Sequence, residues 1–392
     1  MKMISWMLNK VDTPAGRKGR LSGEKHWKVE QKDLNAVGGR SAFVAQAEAL
    51  EAEGLIRVKW YDVDHTDAEI VHFRLENLSE LYRRAGKTPP WEKIAVLRNE
   101  LEKRRGSRKK SWIAAWENHL MEQLDRGTIP AVLEREEFLC CADALDGLEE
   151  PEYKRLFSAR CLRDSKAFER DWQREILTAA RRHSALIEDA MSDTEALEQI
   201  GILEYGQQLY LKGRILFELN GEQISTEKFF CGVTLNSMTL KLGKPLPQQI
   251  PQVISIENQA NFEAAEYRED TLYIFSHGYF SPREAEFLRK LLRCLGPETS
   301  YYHWGDLDYG GVRIFQYIRT KIFPGLQPLY MDRDLLARSR NLGYGGPLSD
   351  SVLKKLDHFQ EPVLQELIEE MKSSGWGVEQ ECFLTPELNI IR

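Results

Sequence analysis

Two aspartates, Asp306 and Asp308, follow an apolar stretch that stops at Gly305, and a segment with the spacing of a buried helical stripe comes after them. Alternate residues of an extended chain point the same way, so both carboxylates can face one spot. Carboxylates are ligands for hard divalent cations, and a helix N-terminus attracts phosphate. The spacing therefore indicates a site for both. The alternative is that Asp306 caps a turn and Asp308 caps the next helix.

A third carboxylate lies at the end of another strand-like segment. Residues 252–256 form a β-branched apolar run, and Glu257 follows it directly. Functional groups of parallel sheets gather at the carboxyl ends of the strands. We therefore expect Glu257 to meet Asp306 and Asp308, although some fifty positions separate them along the chain.

The surrounding segments alternate between strand and helix patterns, which predicts a parallel sheet with right-handed crossovers. Ser281 as N-cap, Pro282 at the first helical position and Glu284 form a capping-box start for one crossover helix. The predicted elements are strands at 252–256, 271–275, 301–305 and 326–331 and helices at 282–295, 312–323 and 352–373, with a last strand near 377–384.

Two motifs resemble a known family. Ile256-Glu-Asn-Gln-Ala-Asn-Phe262 and His303-Trp-Gly-Asp-Leu-Asp-Tyr-Gly-Gly311 are similar to the two signatures of the JetD family, the nuclease subunits of Wadjet anti-plasmid defence systems. That family is itself similar to the A subunit of topoisomerase VI. A Glu after one strand and Asp-x-Asp after a later one also resembles the Toprim metal site. The resemblance is strongest over about residues 250–340.

The resemblance implies a metal-dependent DNA endonuclease. Asp306 and Asp308 would bind Mg²⁺ or Mn²⁺, and Glu257 would join them or act as a general acid or base. The substrate would be double-stranded plasmid DNA, and a homodimer would make a double-strand cut. The family also implies recruitment by an SMC-like motor complex with ATPase, kleisin-like and accessory subunits.

Two other functions stay open at this point. A topoisomerase-like transesterase would need an activated tyrosine, for which Tyr61 and Tyr82 are available. A non-catalytic DNA-binding or assembly subunit would need no metal. Asn258 could orient a ligand but fits a helix cap better, and Glu379 and Glu381 fit a solvent-facing position on a closing strand. His277 and His303 fit packed polar residues.

Candidate DNA contacts come from basic residues. Lys103–Lys110 holds six basic residues in eight positions and breaks two helical patterns, so Arg104, Arg105, Arg108, Lys109 and Lys110 could touch phosphates at an exposed tip. Arg313, one turn into the helix after the aspartates, could contact a scissile phosphate. A solvated charge run and a surface salt bridge are the alternatives.

Four regions follow from the patterns and the resemblance. Residues 1–85 form a winged-helix-like α+β module with a basic stretch at 16–20, and residues 86–210 form a helical arm that includes a long helix at 162–190. Residues 211–250 form a connecting hairpin and linker, in which 234–242 fits helix or strand. Residues 251–392 form an α/β, parallel-sheet, Rossmann-like Toprim domain.

Composition sets broad limits. The chain has 392 residues, 42% of them apolar, and a net charge of −7, so DNA binding would depend on local basic patches. The six cysteines lack C-x-x-C spacing and are typical of reduced thiols in a cytoplasmic protein. No apolar run reaches the length of a membrane span, so no membrane contact is expected.

Overall fold

The computed structural model describes residues 2–19 and 22–388, and Arg20 of the predicted basic stretch lies outside them. Two compact units make up the chain. One comprises Met1–Gly147 with Arg182–Ser184, and the other comprises Leu148–Arg181 with Ala185–Arg392. The finer division into four regions stays a prediction.

The first unit combines an antiparallel sheet with helices. Its helices are α1 (Lys2–Val11), α2 (Pro14–Arg17), α3 (Gln31–Val37), α4 (Arg40–Ala52), α5 (Leu78–Arg84), α6 (Pro90–Arg105), α7 (Ser111–Asp125) and α8 (Glu136–Asp146). Its strands are β1 (Glu24–Lys28), β2 (Ile56–Trp60) and β3 (Ala68–Arg74), and short 3₁₀ turns cover Leu75–Asn77 and Ala131–Glu134.

Strand β3 lies at the centre of the three-stranded antiparallel sheet of this unit. Strand β2 pairs antiparallel with β3, and the alternation of buried Ile56 and Val58 with Arg57 and Lys59 turns one face to the core. Strand β1, which was not predicted, pairs with the other edge of β3. The winged-helix assignment itself stays a prediction.

The second unit holds the remaining elements. Its helices are α9 (Lys154–Leu162), α10 (Gln173–His183), α11 (Asp193–Gln199), α12 (Ser237–Leu242), α13 (Gln259–Ala264), α14 (Pro282–Cys294), α15 (Tyr309–Lys321), α16 (Arg333–Asn341), α17 (Asp350–Asp357) and α18 (Gln365–Ser374). Its strands are β4 (Glu152–Tyr153), β5 (Ile202–Leu203), β6 (Gln208–Lys212), β7 (Leu216–Leu219), β8 (Glu222–Ser225), β9 (Val233–Asn236), β10 (Lys244–Pro245), β11 (Gln252–Ile256), β12 (Thr271–Phe275), β13 (Ser300–Trp304), β14 (Gln327–Pro328), β15 (Gly346–Pro347) and β16 (Trp376–Gly377).

A six-stranded sheet organises this unit, in the order β14-β13-β11-β12-β6-β9. The four strands β14, β13, β11 and β12 run parallel, which confirms the predicted parallel sheet. Strand β6 pairs antiparallel with β12, and β9 pairs antiparallel with β6. The unit is therefore mixed α/β, and the Toprim assignment stays a prediction.

The predicted crossover helix is confirmed together with its start signal. Ser281 and Glu284 form a reciprocal capping box at the start of α14, with Pro282 at the first helical position. Phe287 and Leu288 of α14 are fully buried in the core of the sheet. Their burial fixes α14 against the strands that position the candidate site.

Several predicted boundaries were wrong. The last strand near 377–384 is only the two-residue β16, followed by a 3₁₀ turn at Gln380–Leu384. The helix predicted at 352–373 is broken into α17 and α18, and Pro362 begins a 3₁₀ turn between them. Pro328 lacks an N–H group for a ladder, and the strand predicted at 326–331 shrinks to β14.

Two further segments, 162–190 and 234–242, each contain more than one secondary-structure element. One long helix was predicted at 162–190. In the structure α9 ends at Leu162, and a π-helical turn at Phe168–Trp172 leads into α10. The ambiguous segment 234–242 is both strand and helix, because the Asn236 side chain caps α12 directly after β9. Within the described ranges, 2–19 and 22–388, no helix is long and apolar enough to span a membrane.

Candidate metal centre at the carboxyl edge of the sheet

The register of two neighbouring strands places Glu257 beside Asp306. Strands β11 and β13 are in register from Gln252 with Ser300 to Ile256 with Trp304. The Glu257 N–H donates to the Trp304 carbonyl at 3.0 Å, so both chains leave the sheet at the same level. The Asp306 N–H then donates to Glu257 Oε2 at 3.3 Å. The structure thus brings these two predicted site residues together.

Asp308 lies at the start of α15, close enough for its charge to act on Asp306. Its Oδ1 accepts from the Gly311 N–H at 2.8 Å, so one carboxylate oxygen caps the helix, as the alternative interpretation proposed. Gly311 allows this turn to close, because a Cβ at that position would lie 2.1 Å from the Asp306 carbonyl oxygen. Capping therefore orients the Asp308 carboxylate.

Burial and crowding make the carboxylates hard to ionise. Burial, and then the charge of Asp306, raises the pKa of Glu257 well above its ordinary value. Burial, and then the charge of Asp308, raises the pKa of Asp306 to about 7. Burial also raises the pKa of Asp308, although N–H groups of Gly311 and Gly310 partly oppose the shift. Because a cation would relieve this crowding, the electrostatics fit a metal site.

Two exposed glutamates from the C-terminal segment border the same place. One oxygen each from Asp306, Glu379 and Glu381 can be chosen so that all three lie within 4.8 Å of one another. Glu379 and Glu381 are exposed, as predicted, but they follow β16 instead of lying on a closing strand, and they lie next to Asp306. All these donors are carboxylate oxygens, the ligand type of Mg²⁺ and Mn²⁺.

Gln380 is a site residue that the sequence did not reveal. It is fully buried, and its N–H donates to Asp306 Oδ1 at 2.7 Å. Its amide accepts from the Asn258 N–H at 2.8 Å and donates to the Trp304 carbonyl at 3.1 Å. Gln380 therefore ties the ends of β11 and β13 to Asp306. The only sequence signal was the alternation of Val378 and Gln380 with two glutamates.

The other polar candidates near this edge have structural partners. Asn258 caps α13 by accepting from the N–H groups of Ala260 and Asn261, which confirms the cap. His277 lies 3.2 Å from a carboxylate oxygen of Glu284. His303 is fully buried, and its Nδ1 lies 2.8 Å from Ser255 Oγ. His303 is a packed polar residue, as predicted, whereas His277 is exposed and pairs with Glu284.

Arg313 is engaged in ion pairs within its own unit. Its guanidinium contacts carboxylate oxygens of Glu188 at 2.5 Å and Asp189 at 3.1 Å. The side chain is mostly buried, at 17% exposure. This placement fits the salt-bridge alternative, and a contact of Arg313 with a scissile phosphate stays a prediction.

The basic run at 103–110 is only partly available to DNA. Arg108 lies in a buried cluster, where its Nε donates to Glu117 at 2.9 Å and its side chain is 4% exposed. Arg104 pairs with Glu100 and Asp143, and the Lys109 and Lys110 backbone N–H groups bind Asp146. Arg105 is exposed. Arg108 therefore serves the fold of this region, contrary to its predicted role.

The two tyrosines considered for a transesterase differ in exposure. Tyr61 is 60% exposed, whereas Tyr82 is buried and packs edge-on against Trp91. Burial of Tyr82 hides it from an attacking geometry, so Tyr61 is the better placed of the two for that alternative.

Comparison with known proteins agrees with the sequence motifs. The family described as Wadjet protein JetD, C-terminal, matches residues 211–387, which include β11, β13 and the C-terminal glutamates. The chain is also 31% identical over 340 residues to Wadjet protein JetD of Bacillus cereus (strain Q1). This match covers 84% of the chain and 82% of that relative. The protein therefore belongs to the Wadjet JetD family.

Proposed function

We propose that this protein is a divalent-metal-dependent DNA endonuclease that acts in Wadjet anti-plasmid defence. The observation that carries the proposal is the meeting of Glu257 with Asp306 at the ends of two parallel strands, with Asp308 at the start of α15. Membership in the JetD family supports the role in Wadjet. The carboxylates of Glu257, Asp306 and Asp308 support metal-dependent hydrolysis of DNA.

Glu257, Asp306 and Asp308 would hold Mg²⁺ or Mn²⁺, with Glu379 and Glu381 able to add oxygen ligands beside Asp306. The bound ion would neutralise charge on the scissile phosphate and on the leaving oxygen. Glu257 would either bind the ion or move a proton, because its raised pKa suits a general acid or base. Asp308 would stay oriented by its cap on α15, and Gln380 would hold Asp306 in place.

The parallel arrangement of β13, β11 and β12 supports a Toprim fold for this sheet, with its acids at the carboxyl edge. The proposed substrate is double-stranded plasmid DNA, and the proposed partners are the SMC-like ATPase, kleisin-like and accessory subunits of Wadjet. A homodimer would supply two such sites for a double-strand cut. Arg105 is the best-placed candidate of the basic run to contact phosphate, since it is exposed.

The test is cleavage of supercoiled plasmid by the purified protein with its Wadjet partners, in Mg²⁺ or Mn²⁺ and in chelator. Glu257→Gln and Asp306→Asn should each lower the cleavage rate by a factor of about 100 or more, as expected for groups that hold the ion or move the proton. Glu222→Gln, an exposed acid on β8, is the matched control and should cleave normally. Normal cleavage by Asp306→Asn would refute the proposal.

The same assay separates the transesterase alternative. A transesterase leaves a covalent tyrosyl–DNA product, so protease treatment would change the mobility of the cut DNA and Tyr61→Phe would abolish cutting. A hydrolytic nuclease gives free DNA ends, and Tyr61→Phe should then cleave at the normal rate.

A further inference from the structure

The two ring nitrogens of His303 have different surroundings. The side chain is fully buried in β13, and Nδ1 lies 2.8 Å from Ser255 Oγ on the neighbouring strand β11. Among the described residues, Nε2 has no hydrogen-bond partner although it is buried. A buried polar nitrogen without a hydrogen bond lowers the stability of the folded state, so its position needs an explanation.

Gly305 shows what the unpaired nitrogen faces. A Cβ built on Gly305 would lie 2.9 Å from His303 Nε2 and 2.5 Å from Glu257 Oε2. Both atoms therefore border the one small space that the missing side chain leaves open. A larger residue at position 305 would collide with both atoms.

The Ser255 hydroxyl is the hydrogen-bonding partner of Nδ1, and it also lies within reach of the Tyr302 carbonyl oxygen. The fully buried ring disfavours a charge, and a neutral imidazole has one N–H group. The Ser255 hydroxyl lies closer to Nδ1, at 2.8 Å, than to the Tyr302 carbonyl oxygen, at 3.3 Å. If the hydroxyl donates to Nδ1, the ring proton lies on Nε2, beside the space that Glu257 Oε2 also borders.

We propose that His303 is a positioning residue for Glu257: its Nε2–H, fixed by Ser255, orients the Glu257 carboxylate toward Asp306 and so raises the affinity of the centre for a divalent cation. The metal part of this inference rests on the proposed function. A neutral donor suits this task, because it stabilises a carboxylate without adding a second buried charge. Outer partners of metal-binding carboxylates commonly affect affinity in this way.

Two substitutions at position 303 separate the two nitrogens. In His303→Gln the amide nitrogen can reach the place of Nε2, whereas in His303→Asn it reaches only the place of Nδ1. We expect His303→Asn to weaken Mn²⁺ binding, measured by calorimetry, by a factor of about 10 to 100, and His303→Gln to recover most of this loss. Circular dichroism and the melting temperature of the metal-free proteins control for folding. Equal Mn²⁺ affinities of the two variants would overturn the inference.

Gly305→Ala tests the space itself. The added methyl group would collide with Glu257 Oε2 and His303 Nε2, so the variant should bind Mn²⁺ about tenfold more weakly. In the His303→Asn background the same change should add little, because the contact that it disturbs is already lost. Fully additive losses in the double variant would contradict the proposed contact.

A measurement without metal separates this inference from the proposed function. Nitrogen-15 NMR of histidine-labelled protein reports the tautomer of each ring, and the His303→Asn spectrum assigns the signal of His303. We expect the Nε2–H tautomer, and the Nδ1–H tautomer would overturn the inference. If the wild-type protein binds no Mn²⁺, the proposed function fails, and the tautomer alone then decides the contact.

Discussion

At the scale of single residues, the centre is built from acids that resist ionisation. Asp306 has its pKa raised to about 7 by burial and by the charge of Asp308, and Glu257 is shifted in the same direction. Carboxylates that only cap turns gain stability from hydrogen bonds to their charged form and are shifted the other way. The direction of these shifts is compatible with the proposed binding of a cation.

The raised pKa of Asp306 predicts how stability depends on pH. Between the ordinary value of 3.8 and about 7, the folded protein holds a proton that the unfolded chain releases. The free energy of unfolding of the metal-free protein therefore falls as pH rises through this window, and the full penalty is present above about pH 7. We expect Asp306→Asn to lose less stability than wild type between pH 5 and 8.

Thermal unfolding of both proteins in chelator, at pH 5 and at pH 8, measures this difference. The Asn side chain keeps an acceptor for the Gln380 N–H, so the comparison isolates the charge. Added Mn²⁺ should raise the melting temperature of wild type more at pH 8 than at pH 5. An equal loss of stability in both proteins would show that Asp306 titrates normally.

Local patterns were sufficient to predict three acids of the site. Glu257, Asp306 and Asp308 each follow a strand, and strand ends can be read from runs of apolar residues. Gln380 could not be found in this way, because its partners lie more than seventy positions upstream. Long-range hydrogen bonds leave no periodic trace in a sequence. The neutralisation of Arg108 by Glu117 escaped prediction for a similar reason, since a charge run does not show its partners.

At the scale of elements, the junction between β13 and α15 sets the position of two aspartates. Gly310 and Gly311 both lie in the first turn of α15, but only Gly311 packs against backbone. A Cβ at Gly311 would lie 2.1 Å from the Asp306 carbonyl oxygen, whereas a Cβ at Gly310 would first meet Asp308 Oδ1, at 3.2 Å. The two glycines therefore form a matched pair.

We expect Gly311→Ala to displace Asp306 and to lower both stability and Mn²⁺ affinity, because a backbone clash cannot be relieved by a side-chain rotation. Gly310→Ala should be nearly neutral in stability, since alanine also favours a helix by about 0.5–1 kcal/mol over glycine. Urea unfolding and calorimetry test both variants. A Gly311→Ala protein as stable as Gly310→Ala would contradict the described junction.

The C-terminal segment is held to the strand ends through Gln380. Gln380→Ala leaves the Asn258 N–H and the Trp304 carbonyl without this partner, so we expect a loss of about 2–4 kcal/mol in the free energy of unfolding. Gln223→Ala, at an exposed position on β8, should change it by less than about 0.5 kcal/mol. Denaturant titration of both variants measures the contrast, and similar values would show that the segment is not anchored by Gln380.

In the α6–α8 region of the first unit, a buried arginine, Arg108, can likewise be compared with an exposed one, Arg105. Arg108→Ala would leave Glu117 buried without its guanidinium partner, and the expected loss of stability is about 3–5 kcal/mol. Arg105→Ala, at an exposed position, should leave stability unchanged and instead weaken DNA binding in a salt-dependent way. Unfolding curves and fluorescence anisotropy with duplex DNA test this pair. A stable Arg108→Ala protein with weakened DNA binding would restore the original prediction.

At the scale of the whole molecule, the parallel strands could be predicted from the sequence. The antiparallel strands β6 and β9, which extend the same sheet, could not. The strand–helix alternation from 252 onward gave β11, β12 and β13 in the parallel arrangement observed. Strands β6 and β9 belong to the same sheet, although the sequence patterns had assigned their segments to the helical arm and the linker. Antiparallel pairing of β6 with β12 depends on contacts across some sixty residues, and short strands carry weak local signals.

Net charge shows why the proposed DNA contact must be local. The chain carries −7 overall, so attraction to DNA cannot come from the whole surface. Carboxylates gathered at one edge of the sheet would add to this repulsion, and the proposed cations would neutralise them.

The most direct measurement is anomalous X-ray diffraction from crystals of the protein grown with Mn²⁺. We expect a manganese peak within bonding distance of carboxylate oxygens of Asp306 and Asp308. Glu257 should either bind the manganese ion or lie hydrogen-bonded beside it. A Mn²⁺ peak remote from Asp306, or none at saturating Mn²⁺, would contradict the proposed metal centre.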